Sequence, residues 1–366
     1  MSVPGGLIES IQVRTVSVPI ARPVITATFR SDTVESVLVT VRTRDGVQGM
    51  GWSFCFGKKR IAAIAALTGD LAAAAIGESA LLPEALWWKL YSATTFIGHA
   101  GSALIAMAAI DTACWDALAR TAGLPLFRIL GGFKNRAEVY AGEALWLHAS
   151  REQLAEEAAE LKERGFRAVK FRVGKKDWRD DVERCCIVRE ALGPEIEIMV
   201  DVNQGWDAPA AIQAGKAMEP LRPYWLEEPV PHEDIEGCAR VSQALDCPVC
   251  AGETNFGTQG LLPFLRRRAA DYLMVDLMRI GGVTGWRQSA ALCHAYNVPI
   301  TPHMFMEVSA HLQAATPGAI WQTYQPWWQP LFQEGFDFQD GALVLSEKPG
   351  LGLAWNEDYI RSVLLD

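Results

Sequence analysis

Two hydrophobic periods divide the chain. From Ile11 to Val18, and again from Ser36 to Arg42, apolar and polar residues alternate, as in a strand with one buried face. Arg44-Asp45-Gly46 supplies a hairpin turn into a returning segment, Gln48 to Ser53. From Arg60 to Gly123 the period becomes helical. Leu104, Met107, Ala108, Asp111 and Trp115 fall on one helical face. Gly123-Leu-Pro125 stops that helix, and Gly131-Gly132 marks a domain boundary.

Beyond the boundary, strand and helix patterns alternate. The predicted strands are Glu138–Gly142, Ala168–Val173, Glu197–Asp201, Tyr224–Glu227, Val249–Gly252, Tyr272–Asp276, Val298–Thr301 and Ala319–Gln322. Helical patterns such as Arg151 to Arg164 and Pro209 to Met218 lie between them, the second opening on a proline suited to a first helical turn. Eight strands alternating with helices predict a parallel α/β barrel, with a doubly wound sheet as the other candidate. The expected division is a capping domain over 1–132, a barrel over 133–341, and a segment over 342–366 that packs back on the cap.

The predicted strands end in charge. The second closes on Lys170-Phe171-Arg172, the third on Asp201, the fourth on Glu227 and the sixth on Asp276. Glu253 follows the fifth and His303 follows the seventh. From Asp201 these groups recur every 23 to 27 residues, about one strand–helix unit each. Core packing gives no reason for this, whereas a parallel barrel gathers its C-terminal strand ends on one catalytic face. Two carboxylates about 4 Å apart repel by about 4 kcal/mol at an effective dielectric near 20. Three neighbouring ones therefore call for protons or a cation, and all-oxygen ligation points to a hard ion such as Mg²⁺. Asp276 beside His303 is the arrangement that orients an imidazole as a general base. His99, His148, His232, His294 and His311 lack such a partner one strand back and are read as structural.

Bulk properties remove other classes. The 366 residues carry a net charge of −9, which gives no electrostatic reason to bind nucleic acid or an anionic membrane. The N-terminal residues lack a signal-peptide pattern, and the Ala-rich run Ile61 to Ile76 is too short to span a bilayer. Eight cysteines show no framework spacing. Cys247-Pro-Val-Cys250 stands alone as a CxxC, so reduced thiols in a cytoplasmic protein are expected.

At these residues the chain resembles the enolase superfamily, mandelate racemase subgroup. The resemblance runs through Ala109-Ile-Asp-Thr-Ala-Cys-Trp-Asp116, Gly123-Leu-Pro-Leu126, Val200-Asp-Val-Asn203, Leu226-Glu-Glu-Pro229, Gly252-Glu253, Asp276 to Gly285, and His303 to Leu312. It implies a (β/α)7β barrel under an α+β cap that the C-terminal tail completes. It implies Asp201, Glu227 and Glu253 as Mg²⁺ ligands, Lys170 on the substrate carboxylate, and Asp276–His303 as the base pair. Asn203 is similar to a residue that touches metal or substrate. The substrate is then a small carboxylic acid, and family members suggest homo-oligomers from dimer to octamer.

Two positions depart from the family pattern. Many members carry Lys-x-Lys on the second strand, with the second lysine acting as a base. Here that position is Arg172, which keeps its proton. Mandelate racemase has a glutamate after its eighth strand, and the matching position here is Thr323, with Gln322 beside it. One histidine base can remove the α-proton and protonate a departing hydroxide on the same face. The leading expectation is therefore dehydration of a sugar acid to a 2-keto-3-deoxy acid. A racemase or epimerase of a 2-hydroxy acid is the alternative, and a non-catalytic sugar-acid binding protein is a third reading. Arg22, Thr26, Phe29 and Arg30, with Trp52, Phe54 and Phe56, are the cap residues expected to choose the substrate. Trp321, Tyr324, Trp327 and Trp328 are read as packing or interface residues before pocket walls.

Overall fold

The computed structural model describes residues 5–25 and 30–365; Thr26 and Phe29 lie outside them. The chain opens with three antiparallel strands, β1 (Ile8–Ile25), β2 (Arg30–Thr43) and β3 (Gln48–Cys55), ordered β1-β2-β3. Two helices cover the sheet, α1 (Lys58–Ala75) and α3 (Ser102–Thr121); α2 (Pro83–Ala93) packs on both, and the short α4 (Leu126–Ile129) follows. Two glycines let α3 lie directly on β3. A Cβ at Gly49 would stand 2.0 Å from the Ala113 carbonyl oxygen, and one at Gly51 would stand 2.2 Å from that of Ala109. Among the described helices, α3 alone is long and apolar enough to cross a bilayer, and it is largely buried here.

The second body repeats strand and helix: β4 (Arg136–Ala141), α5 (Arg151–Glu163), β5 (Ala168–Arg172), α6 (Trp178–Leu192), β6 (Glu197–Asp201), α7 (Ala208–Met218), β7 (Trp225–Glu227), α8 (Ile235–Ala244), β8 (Val249–Ala251), α9 (Gly257–Arg267), β9 (Tyr272–Asp276), α10 (Val283–Ala295), β10 (Ile300–His303), α11 (Met306–Ala315) and β11 (Gln322–Tyr324). Several helices start on side-chain caps that satisfy free N–H groups. Ser150 and Gln153 form a capping box at α5, and Asp207 accepts from Ala210 N at α7. Neighbouring strands from β4 to β10 pair in parallel. β11 pairs with β4, and the Ile320 N–H reaches the Ile300 carbonyl at 3.0 Å. Among the described residues, eight parallel strands thus close on themselves with seven intervening helices, a (β/α)7β barrel and not an open doubly wound sheet. Tyr140, Met199, Trp225, Cys250 and Met274 fill its floor.

Strand eight lies further along than its apolar run suggests. Ala319 makes only an isolated bridge to Ile300, and the ladder to β4 runs from Gln322 to Tyr324. The last segment also does more than cross to the cap. After β12 (Asp337–Gln339), β13 (Ala342–Val344) pairs antiparallel with Arg136–Glu138, the part of β4 that β11 leaves unpaired. Beyond β13 the chain packs on the cap, which Trp328 has already reached through Ser36 Oγ at 2.9 Å. The Leu126 N–H donates to the Gly350 carbonyl at 2.7 Å, and Trp355 Nε1 donates to Thr40 Oγ1 at 3.0 Å. In the final helix, α12 (Glu357–Val363), Glu357 pairs with Arg14.

Candidate active site

Strand register brings the charged ends together. Arg172 is level with Asp201, Asp201 with Glu227, and Asp276 with His303. Lys170 and Arg172, two residues apart, share the inward face of β5. Lys170 Nζ donates to Asp201 Oδ2 at 3.0 Å and to Glu227 Oε1 at 2.5 Å. Asp201 Oδ1 accepts from the Asn203 N–H at 2.9 Å, and Glu227 Oε2 accepts from Trp225 Nε1 at 3.0 Å. Gly252 turns the chain at φ +121 just before Glu253. A Cβ there would stand 2.7 Å from the Met274 carbonyl oxygen, so only glycine carries Glu253 round this corner.

The electrostatics follow from burial. Asp201, Glu227 and Glu253 are each at most 9 % exposed. Desolvation, then Asp201 nearby, push the Glu227 carboxyl well above its usual range, although Lys170 opposes them. The same carboxylates hold the Lys170 ammonium well above its ordinary value despite its burial.

His303 sits on the far side of the cluster. Its Nδ1 donates to Asp276 Oδ2 at 2.7 Å, which leaves Nε2 facing Glu253 Oε2 at 3.4 Å. Asp276 Oδ1 accepts from the backbone N–H groups of Met278 and Arg279. Burial lowers the basicity of His303, but Glu253 and Asp276 outweigh it and raise its pKa above the ordinary imidazole value. Arg172 lies three strands round the closed barrel from His303. Its guanidinium lies 3.7 Å from the Trp146 ring centre, and Nη1 donates to the Ala144 carbonyl at 2.9 Å. Burial lowers its pKa, yet a guanidinium remains charged in proteins.

These groups open onto one cavity of about 360 Å³. Lys170, Arg172, Asp201, Asn203, Glu253 and His303 line it, and Glu227 lies below, fully buried. Two expected substrate residues do not. Thr323 is buried in β11, where Oγ1 donates to the Tyr140 hydroxyl at 2.6 Å. The shift of strand eight explains this: Gln325, two residues on, reaches the cavity instead. Its amide donates to the Gly142 carbonyl and accepts from Trp327 Nε1. Arg30 is exposed beside Asp32 at the start of β2, away from the cavity lining. Arg22 also points elsewhere, pairing with Glu160 of α5 at 2.9 Å. Phe54 and Phe56 are wall residues, whereas Trp52 is buried against Phe305, Trp328 and Phe332. Of the late aromatic run only Trp327 lines the cavity. The sequence reading missed Trp146, Phe256, Met278 and Arg279, which stand on loops after β4, β8 and β9.

Comparison with known proteins agrees with this fold. Residues 10–131 match the mandelate racemase/muconate lactonizing enzyme N-terminal domain, and residues 153–359 match the enolase C-terminal domain-like family. The chain belongs to the enolase superfamily, in its mandelate racemase/muconate lactonizing enzyme branch. It is 33 % identical over 365 residues to L-talarate/galactarate dehydratase of Salmonella typhimurium, covering 98 % of this chain and 91 % of that protein. L-talarate dehydratase from Polaromonas sp. JS666, solved with magnesium and L-glucarate, superposes with a TM-score of 0.91 at 31 % identity, covering 98 % of each chain. An enolase from Bradyrhizobium, solved with magnesium and mandelic acid, superposes at 0.92 with 30 % identity, covering 98 % of this chain and 99 % of that one. Membership of this superfamily makes the protein an enzyme of the lyase or isomerase kind.

In this superfamily member, no three acidic or imidazole groups among the described residues already stand at a spacing that would hold a metal. The Lys170 ammonium lies between Asp201 and Glu227. The donors nonetheless fit a hard dication in kind. They are three carboxylates without sulfur, and Glu253 Oε2 is buried with no hydrogen-bond partner.

Proposed function

We propose that this enzyme removes the C2 proton of a 2-hydroxy carboxylic acid and expels its 3-hydroxyl, dehydrating a sugar acid to a 2-keto-3-deoxy acid. Asp201, Glu227 and Glu253 would hold Mg²⁺, which when bound stabilises the negative charge that develops on the substrate carboxylate. Lys170 adds fixed positive charge on the same side, aimed at the dianionic enediolate in a site largely screened from water. His303 Nε2 takes the C2 proton while Asp276 holds the imidazole by its other nitrogen. The C3–O bond then breaks, the imidazolium returns its proton to the leaving hydroxide as water, and the enol relaxes to the 2-keto product.

The observation that carries this reading is the one-sided acid–base apparatus. His303 keeps Nε2 clear of the aspartate behind it and turned to the cavity, 3.4 Å from Glu253 Oε2, whereas the base position on β5 holds Arg172. Relatives with dehydratase activity on sugar acids support it. The apolar walls, Phe54, Phe56, Phe256 and Trp327, favour a second reading: racemisation of a 2-hydroxy acid with an apolar substituent. That reading lacks a base for the opposite face.

Proton NMR in D₂O with Mg²⁺ separates the two, using galactarate, L-talarate, gluconate and mandelate. Dehydration gives a 2-keto-3-deoxy product from at least one sugar acid. Deuterium exchange at C2 with no such product would instead establish the racemase or epimerase. His303→Asn should lower either reaction at least 1000-fold with the fold intact; exchange that survives this change would remove His303 from its role.

A further inference from the structure

Behind the three carboxylates, one amide joins the loops that carry them. Gln204 lies three residues after Asp201, Glu228 follows Glu227, and Thr254 follows Glu253. Gln204 Nε2 donates to Glu228 Oε2 at 2.8 Å and to Thr254 Oγ1 at 3.1 Å. Its Oε1 accepts from the backbone N–H of His232 and from His232 Nδ1, both at 3.0 Å. Every hydrogen-bonding position of the amide is thereby used. The Gln204 backbone N–H also donates to the Glu228 carbonyl at 2.9 Å.

The chain is strained at these points. Asn203, Gln204 and Glu228 have φ of 46, 63 and 39, left-handed values that cost a non-glycine residue energy. Such conformations persist where the surroundings over-determine them. Here backbone bonds such as Glu228 N–H to the Cys250 carbonyl are joined by one side chain that links the loops after three consecutive barrel strands.

We propose that Gln204 is a positioning residue for the metal site, setting the relative placement of Asp201, Glu227 and Glu253 through Glu228 and Thr254. This rests on the reading of those three carboxylates as Mg²⁺ ligands. The role needs an uncharged side chain with donors and acceptors together. Methionine has nearly the same length but can make none of the four bonds. Glutamate would set a like charge against Glu228.

The test is calorimetric titration of the full chain with Mg²⁺ alone, checked by electron paramagnetic resonance with Mn²⁺. Gln204→Met should bind Mg²⁺ roughly 10- to 100-fold more weakly than the parent. Its circular dichroism and metal-free melting should stay close to the parent's. Thr254→Val removes one bond of the four, so it should fall between, and it keeps the test open if Gln204→Met folds poorly. Affinities within twofold of the parent in both variants would overturn the proposal. So would a drop in metal-free melting with Mg²⁺ affinity unchanged, which marks a merely structural bond. Failure of the parent itself to bind Mg²⁺ would instead sink the metal reading above, a distinct result.

Discussion

At position 172 a guanidinium and an ammonium differ in one way that bears on catalysis. A buried lysine gives up its proton with modest shifts, whereas an arginine does not. The Trp146 ring and the Ala144 carbonyl hold Arg172 in place, so its charge is fixed and its proton is not for transfer. If the arginine is what keeps the chemistry on one face, Arg172→Lys should add a second proton route. With a sugar acid that the parent dehydrates, the variant is expected to form the C2 epimer alongside the keto product. Its dehydration rate should fall roughly 10- to 100-fold, because the stacked, preorganised cation is lost. NMR of the recovered substrate in D₂O reads this directly, and a folded variant that forms no epimer refutes the assignment.

At the scale of elements, the barrel's charged rim was legible because apolar strands that stop on Asp201, Glu227 and Asp276 have no packing rationale. The wall opposite was not. Trp146, Phe256 and Met278 are apolar residues on loops, and in a sequence such residues look the same whether they face a core or a substrate. Strand eight misled for a related reason. Its apolar flank, Ala319 to Trp321, looks more strand-like than the polar Gln322-Thr323 that make the ladder with β4. The position that matches the family's glutamate by spacing from His303, Thr323, lies within this ladder, and Gln325 beyond it lines the cavity.

The helix after β10 holds a group that no strand-end pattern reveals. Glu307, in the first turn of α11, is 2 % exposed, and neither carboxyl oxygen has a hydrogen-bond partner. Burial pushes its pKa up to about 8 from 4.5. The folded protein therefore keeps this proton between about pH 4.5 and 8, where the unfolded chain has released it. Stability contributed by the protonated form is full below that window and is lost as pH rises through it. Urea unfolding at pH 5, 6.5 and 8 should show this loss, at most about 1.4 kcal/mol per pH unit. Glu307→Gln carries no such proton and should flatten the slope, becoming the more stable protein at pH 8. An unchanged slope in the variant would assign the pH dependence elsewhere.

Across the whole molecule, the cavity exists only where cap and barrel meet: Val24, Phe54, Phe56 and Ile105 come from one body and the charged groups from the other. Two buried aspartates on α3 tie the cap to the rest of the chain, one to the tail and one to the barrel. Asp116 accepts from the Met50 N–H, from Arg120 Nε and from the Leu351 N–H of the returning tail. Asp111 reaches the barrel itself, accepting from Thr284 Oγ1 at 2.6 Å and from the Thr284 N–H at 2.9 Å, and Trp115 Nε1 donates to the same hydroxyl. Thr284→Val keeps the shape and the backbone bond but strips the hydroxyl from both partners inside a dry interface. Leaving buried polar groups unpaired costs about 1–3 kcal/mol each, so a loss of about 2–6 kcal/mol is expected in urea unfolding. If the cap owes its seat to this contact, the damage should also reach the cavity. The substrate KM should rise, because cap residues form part of its wall, while Mg²⁺ affinity holds, since all three carboxylates belong to the barrel. Equal losses in KM and in Mg²⁺ affinity would mean instead that the junction and the metal site form one cooperative unit.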